Sequence, residues 1–136
     1  MERATSCGAF FFIAIMFTFL TSTAAVLDAA NTVHCRGGLV TEHDVAIYSA
    51  YVAHVLAELA TVTPTISGFQ YAAVFPNDAT GSVQGTATCD GTTDAGRCIT
   101  CLSGLQQLLG GSCSQYEGGG ARGGGMICGM AFDMVH

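Results

Sequence analysis

The sequence predicts an α+β fold: two helices packed on a small antiparallel β-sheet and stapled by disulfides. Three observations carry this. Apolar residues recur at helical spacing in two separate stretches, around Val45–Leu59 and Leu102–Leu109. Three other stretches are short, branched or aromatic, and bounded by turn residues, which reads as strands. Six cysteines follow an apolar leader, and an even count in a secreted chain reads as a disulfide framework. A run of strands with helices beside them gives one sheet and one helical layer.

The leader comes first. Arg3 precedes a continuous apolar run from Ala9 to Leu20, and Thr21-Ser22-Thr23-Ala24-Ala25 supplies small residues for cleavage after Ala24 or Ala25. The run is about a dozen residues, short of the ~20 that a spanning helix needs. Residues 1–25 are therefore expected to be a signal peptide and 26–136 a single domain, secreted, with no membrane span after cleavage and no second apolar run of spanning length. About 110 residues remain, a size at which covalent staples help a modest core. Cys7 leaves with the leader; Cys35, Cys89, Cys98, Cys101, Cys113 and Cys128 stay.

Val26 to His34 reads as an extended arm, and Arg36 to Val40, with Gly37-Gly38, as a loop. Thr41-Glu42-His43-Asp44 has the spacing of a helix start. Val45, Tyr48, Tyr51, Val52, Val55, Leu56 and Leu59 then mark a helix over about 42–60, stopped before Thr61-Val62-Thr63-Pro64. His54 falls on its flank and reads as a surface residue. Phe69–Phe75 and Ser82–Thr88 read as two strands joined by the turn-rich Pro76–Gly81. Neither Asn31 nor Asn77 begins an N-glycosylation sequon.

The hairpin delivers the most regular cysteine run, Cys89-x8-Cys98-x2-Cys101. Asp90 to Asp94 is turn chemistry. Asp94 is positioned to cap a second helix, with Gly110-Gly111 as its expected stop. Cys98 and Cys101 sit one helical turn apart, each able to reach a different neighbouring element. Gly118–Gly125 holds six glycines in eight positions and reads as a stretch of high chain entropy that cannot pack a core. Met126–Phe132 reads as a last strand.

Composition excludes several functions. There is no lysine, and after the leader only Arg36, Arg97 and Arg122 stand against nine carboxylates. Nucleic-acid binding draws most of its affinity from basic residues, so it is not expected. Nor is a cationic membrane-disrupting action. Cys98-x2-Cys101 has the spacing of a redox dithiol or half a zinc site. However, no βαβ pattern precedes it and no second close pair recurs. No Gly-x-Ser-x-Gly run is present, and the glycines around Arg122 lack the Gly-Lys-Ser/Thr end of a phosphate loop. Asp90 and Asp94 are explained by the turn and the cap. No enzyme activity, metal or cofactor is expected. The residues by themselves leave the cysteine pairing open.

The Cys-x8-Cys-x2-Cys run resembles the ginkbilobin-like domain of plants, also called the salt-stress-response/antifungal cysteine-rich domain. The resemblance covers about 31–133. Such domains occur in small secreted antifungal proteins, cysteine-rich receptor-like kinases and plasmodesmata-located proteins. The resemblance implies two helices on a small antiparallel sheet, with bridges Cys35–Cys113, Cys89–Cys98 and Cys101–Cys128. The antifungal members bind mannose through an asparagine after the first cysteine, an arginine six residues before the last and a glutamate five residues after it. Those positions here hold Arg36, Arg122 and Asp133. The implied function is a secreted plant defence protein that binds mannose-type glycans of fungal cell walls. The alternative is an apoplastic module that binds a protein and no sugar.

Overall fold

The computed structural model describes residues 31–76 and 81–135, apart from the side chain of Met126. The expected signal peptide, the start of the arm and most of the Pro76–Gly81 turn lie outside the described residues. Five strands form one antiparallel sheet: β1 (Thr32–Leu39), β2 (Gln70–Phe75), β3 (Val83–Cys89), β4 (Tyr116–Gly123) and β5 (Cys128–Met134), in the order β1-β4-β5-β3-β2. Two helices, α1 (Val45–Val62) and α2 (Ala95–Cys113), pack together on one face of that sheet. The fold is α+β, with three disulfides.

Burial follows the expected periodicities. Along β3, Val83, Gly85, Ala87 and Cys89 are buried, while Gln84, Thr86 and Thr88 are exposed. One face of that strand is therefore core and the other open. Val52, Val55, Leu56 and Leu59 of α1 meet Leu102, Leu105 and Leu109 of α2 over Val83, Met130 and Phe132. Val45–Thr65 is long and apolar enough to cross a membrane by length and composition, against the expectation that no such run follows the leader. Here that stretch is the core helix of the domain, its apolar stripe buried on the sheet.

The cap of α2 is as the sequence predicts: the Asp94 carboxylate accepts from the Arg97 backbone N–H at 2.8 Å. Its end is not. The helix runs through Gly110-Gly111 to Cys113, whose buried sulfur is tied to Cys35. Packing and the bridge override the weak helix propensity of glycine. α1 begins at Val45 rather than Glu42, because Thr41–Asp44 closes a turn first, with Asp44 N–H donating to the Thr41 carbonyl at 3.0 Å.

Two expectations are corrected at the sheet. Arg36–Leu39 is strand, not loop: β1 continues past a register shift between Arg36 and Leu39, where Gly37 adopts φ +72°. An irregularity with a left-handed glycine keeps the strand paired while adding residues. The glycine run Gly118–Gly123 is also strand. It forms β4, largely buried between β1 and β5. Gly119 and Gly123 serve the core by lacking a side chain. A Cβ on Gly119 would meet Cys113 Cβ at 2.9 Å, and one on Gly123 would meet Cys101 Sγ at 2.6 Å. Two of the disulfides thus lie directly on this strand. Their pairings, Cys35–Cys113 and Cys101–Cys128, and the third, Cys89–Cys98, are the three implied by the resemblance.

Candidate functional site on the open sheet face

The helices cover one face of the sheet, and among the described residues no element covers the other. Register and pleat sort the outward side chains into three rows. The first row runs Arg36, Gly118, Asp133, Gln84, Val74 across the five strands. The second runs His34, Gly120, Ala131, Thr86, Ala72, and the third Thr32, Arg122, Gly129, Thr88, Gln70. The middle strands contribute mostly glycine and alanine. Charges, hydroxyls and amides stand around this low centre.

A groove of about 540 Å³ runs over the second and third rows. Gly120, Gly129 and Ala131 lie along its floor, and Arg122, His34, Thr86 and Thr88 are among its walls. Arg36 also lines it. Asp133 does not; it lines a neighbouring depression with Gln84 and Thr86.

The three residues singled out by the resemblance therefore share one exposed face, in two groups. In the first row Gly118 has no side chain, so Arg36 of β1 crosses it to reach β5. Its Nη2 donates to Asp133 Oδ2 at 3.2 Å, and also to the carbonyls of Phe132 at 3.2 Å and Gly119 at 3.3 Å. Arg122 lies two rows away, about 13 Å along the strands. Among the described residues it has no carboxylate within ion-pair distance.

The fold matches solved structures. It superimposes on the tandem DUF26 ectodomain of the Arabidopsis thaliana cysteine-rich receptor-like protein PDLP5 with a TM-score of 0.62, at 20% identity over 75% of this chain and 48% of that one. It matches the tandem DUF26 ectodomain of the A. thaliana protein PDLP8 with a TM-score of 0.62, at 15% identity over 75% of this chain and 47% of that one. The fold is that of the DUF26 ectodomains. The chain spans about half the length of these two structures. No protein-family model matches the sequence, and no curated protein does.

Thr32, His34, Thr86, Thr88, Gly120 and Gly129 were not among the residues expected at a site. The alternation of β3 puts Gln84, Thr86 and Thr88 on one face and was readable. The row that joins Thr88 to Arg122 through Gly129 depends on cross-strand register, which no local pattern encodes. His54, expected at the surface, is exposed and stacks on Phe75 with ring centroids 3.9 Å apart, away from the groove.

Proposed function

We propose that this chain is a secreted plant recognition domain of the DUF26, ginkbilobin-like type, which acts by binding glycan on the open face of its sheet and carries out no catalysis. One observation carries the reading: the uncovered face is polar and shallow, and Arg36, Arg122 and Asp133 all lie on it. Guanidinium donors, a carboxylate acceptor and threonine hydroxyls are the groups that vicinal sugar hydroxyls need. The fold shared with extracellular plant ectodomains supports an apoplastic location. The resemblance assigns mannose-type glycans of fungal walls as the ligand, and defence as the role.

A second reading has its own observation. Arg36 already engages Asp133 at Oδ2, so the acidic acceptor of the three-residue set is partly committed within the chain. This favours an apoplastic protein as the partner. A glycan array, with mannan retention of the disulfide-intact protein, separates the two. Retention lost in Arg122→Ala at unchanged melting temperature supports the glycan reading. Absence of retention on every glycan, with capture of an apoplastic protein abolished by the same substitution, overturns it.

A further inference from the structure

We propose that the groove prefers an acidic oligosaccharide, one built of uronic acid residues, over a neutral one. This rests on the glycan reading of the open face and names the sugar class.

The groove gathers the few cationic side chains of an acidic molecule, and of these Arg36 is already paired with Asp133 while Arg122 is not. The chain carries a formal net charge of −6. Two of the three arginines that follow the leader, Arg36 and Arg122, nevertheless line this groove, with His34 beside them. One carboxylate lines it, that of Asp90, and this is held in its own turn, accepting from Thr92 N–H at 3.1 Å. Arg122 is exposed, and no described carboxylate reaches it. Its planar fork fits a carboxylate through two parallel hydrogen bonds, a geometry that a hydroxyl cannot match.

The groove also lacks the aromatic ring on which a neutral pyranose stacks. No phenylalanine or tyrosine lines it, so no six-membered ring is available to pack against the apolar face of a pyranose. Hydrogen bonds to neutral hydroxyls exchange for water at little net gain, whereas bonds to an ionised group keep more of theirs.

The floor is open beyond any need of packing. A Cβ on Gly129 would come no nearer than 3.8 Å to Thr88 Oγ1, and one on Gly120 no nearer than 3.6 Å to His34 Cε1. Neither backbone is left-handed. Gly119 and Gly123, facing the core, have no such room. The outward pair leaves a trough in which a sugar chain can lie, flanked by Thr86 and Thr88 on one side and Arg122 on the other.

The test is calorimetric titration with oligogalacturonate, its fully methyl-esterified form and mannan oligosaccharide at low ionic strength. The acid should bind about tenfold or more tightly than its ester, which has the same skeleton without the charge. Added salt should weaken it. Arg122→Gln should erase the difference between acid and ester, while Arg97→Gln, on α2, should preserve it. Gly129→Val should abolish binding with the melting temperature kept or raised, because valine favours a strand and has room at its Cβ. Equal affinity for acid and ester, or full binding by Gly129→Val, overturns the proposal. Binding of mannan with no preference for the acid leaves the glycan reading standing and removes this one. Binding of none of the three glycans removes both.

Discussion

Arg36 reaches across the side-chain-free Gly118 to bring its Nη2 within 3.2 Å of Asp133 Oδ2, joining β1 to β5 over the strand between them. The pair is half exposed, at 43% and 53% of the side-chain surface. Solvent and salt screen it, so its own contribution to stability is about 0–1 kcal/mol. Arg36→Ala should accordingly lower stability by no more than ~1 kcal/mol in urea titration. A loss several times larger would mean that the bonds to the Phe132 and Gly119 carbonyls, and not the ion pair, hold this end of β1.

The glycines of β4 divide by the face they present. Gly119→Ala places a Cβ at 2.9 Å from Cys113 Cβ, inside the Cys35–Cys113 bridge. Overpacking of this kind costs about 1–3 kcal/mol. Gly120→Ala, one residue on, meets nothing nearer than 3.6 Å and relieves the entropy cost of glycine in a strand, about 0.5–1 kcal/mol. Denaturant melts of the two variants should move in opposite directions. Equal shifts would show that the disulfides do not constrain β4.

This division also explains which parts of the fold were legible. Asp94 and the alternation of β3 are local, and their chemistry is readable from neighbouring residues. The spacing of Leu102, Leu105 and Leu109 is likewise local. β4 was not readable as a strand because two of its glycines, Gly119 and Gly123, answer to disulfide atoms brought from α2, a cause that exists only after folding. The extension of β1 past Arg36 depends on Gly37 at φ +72° and on pairing with Tyr116, both invisible in a Gly-Gly dipeptide. The site shows the same limit. The resemblance singles out Arg122 and Asp133 by their distance from Cys128, but the capture of Asp133 by Arg36 requires the register and the gap at Gly118.

Tyr48 lies 3% exposed in the core, and its hydroxyl has no hydrogen-bond partner among the described residues. Burial, with Asp133 and then Glu117 adding repulsion, pushes its pKa well above the ordinary tyrosine value. The unfolded chain ionises at about pH 10. The stability tied to this group is therefore fully present below that pH and is lost as pH rises toward the folded-state value. Tyr48→Phe removes an unpaired buried hydroxyl, so it should be neutral or stabilising at pH 7. It should also flatten the decline in urea midpoint above pH 10. A variant that declines as steeply as the parent would place the alkaline transition elsewhere.

Cys101–Cys128 fastens the first turns of α2 to the start of β5, and the third bridge, Cys89–Cys98, closes the loop just before that helix. In protein expressed in an oxidising compartment, Cys35, Cys89, Cys98, Cys101, Cys113 and Cys128 should all resist alkylation. Cys101→Ser unties α2 from β5 and leaves Cys128 unpaired beneath Gly123. A loss of ~2–5 kcal/mol is expected, read as a lowered melting temperature or failed secretion. Normal secretion with an unchanged melt would show that the helix–sheet contact alone suffices.

Arg36→Asn makes the sharpest demand on the functional reading. The shorter side chain cannot span Gly118, so Asp133 regains its free oxygens and the first row acquires an acceptor in place of a neutralised pair. The groove loses one of its two arginines at the same step. Both changes favour neutral sugars: a carboxylate now accepts from hydroxyls, and the pull on an acidic ligand falls. A charged hydrogen bond contributes about 1.5–3 kcal/mol, enough to move a weak millimolar complex by an order of magnitude. Retention on mannan should therefore rise in Arg36→Asn while affinity for uronate falls, with little change in melting temperature. If mannan retention stays absent in both parent and variant, the sheet face does not read mannose, and the protein-partner reading gains the ground that the neutral-sugar reading loses.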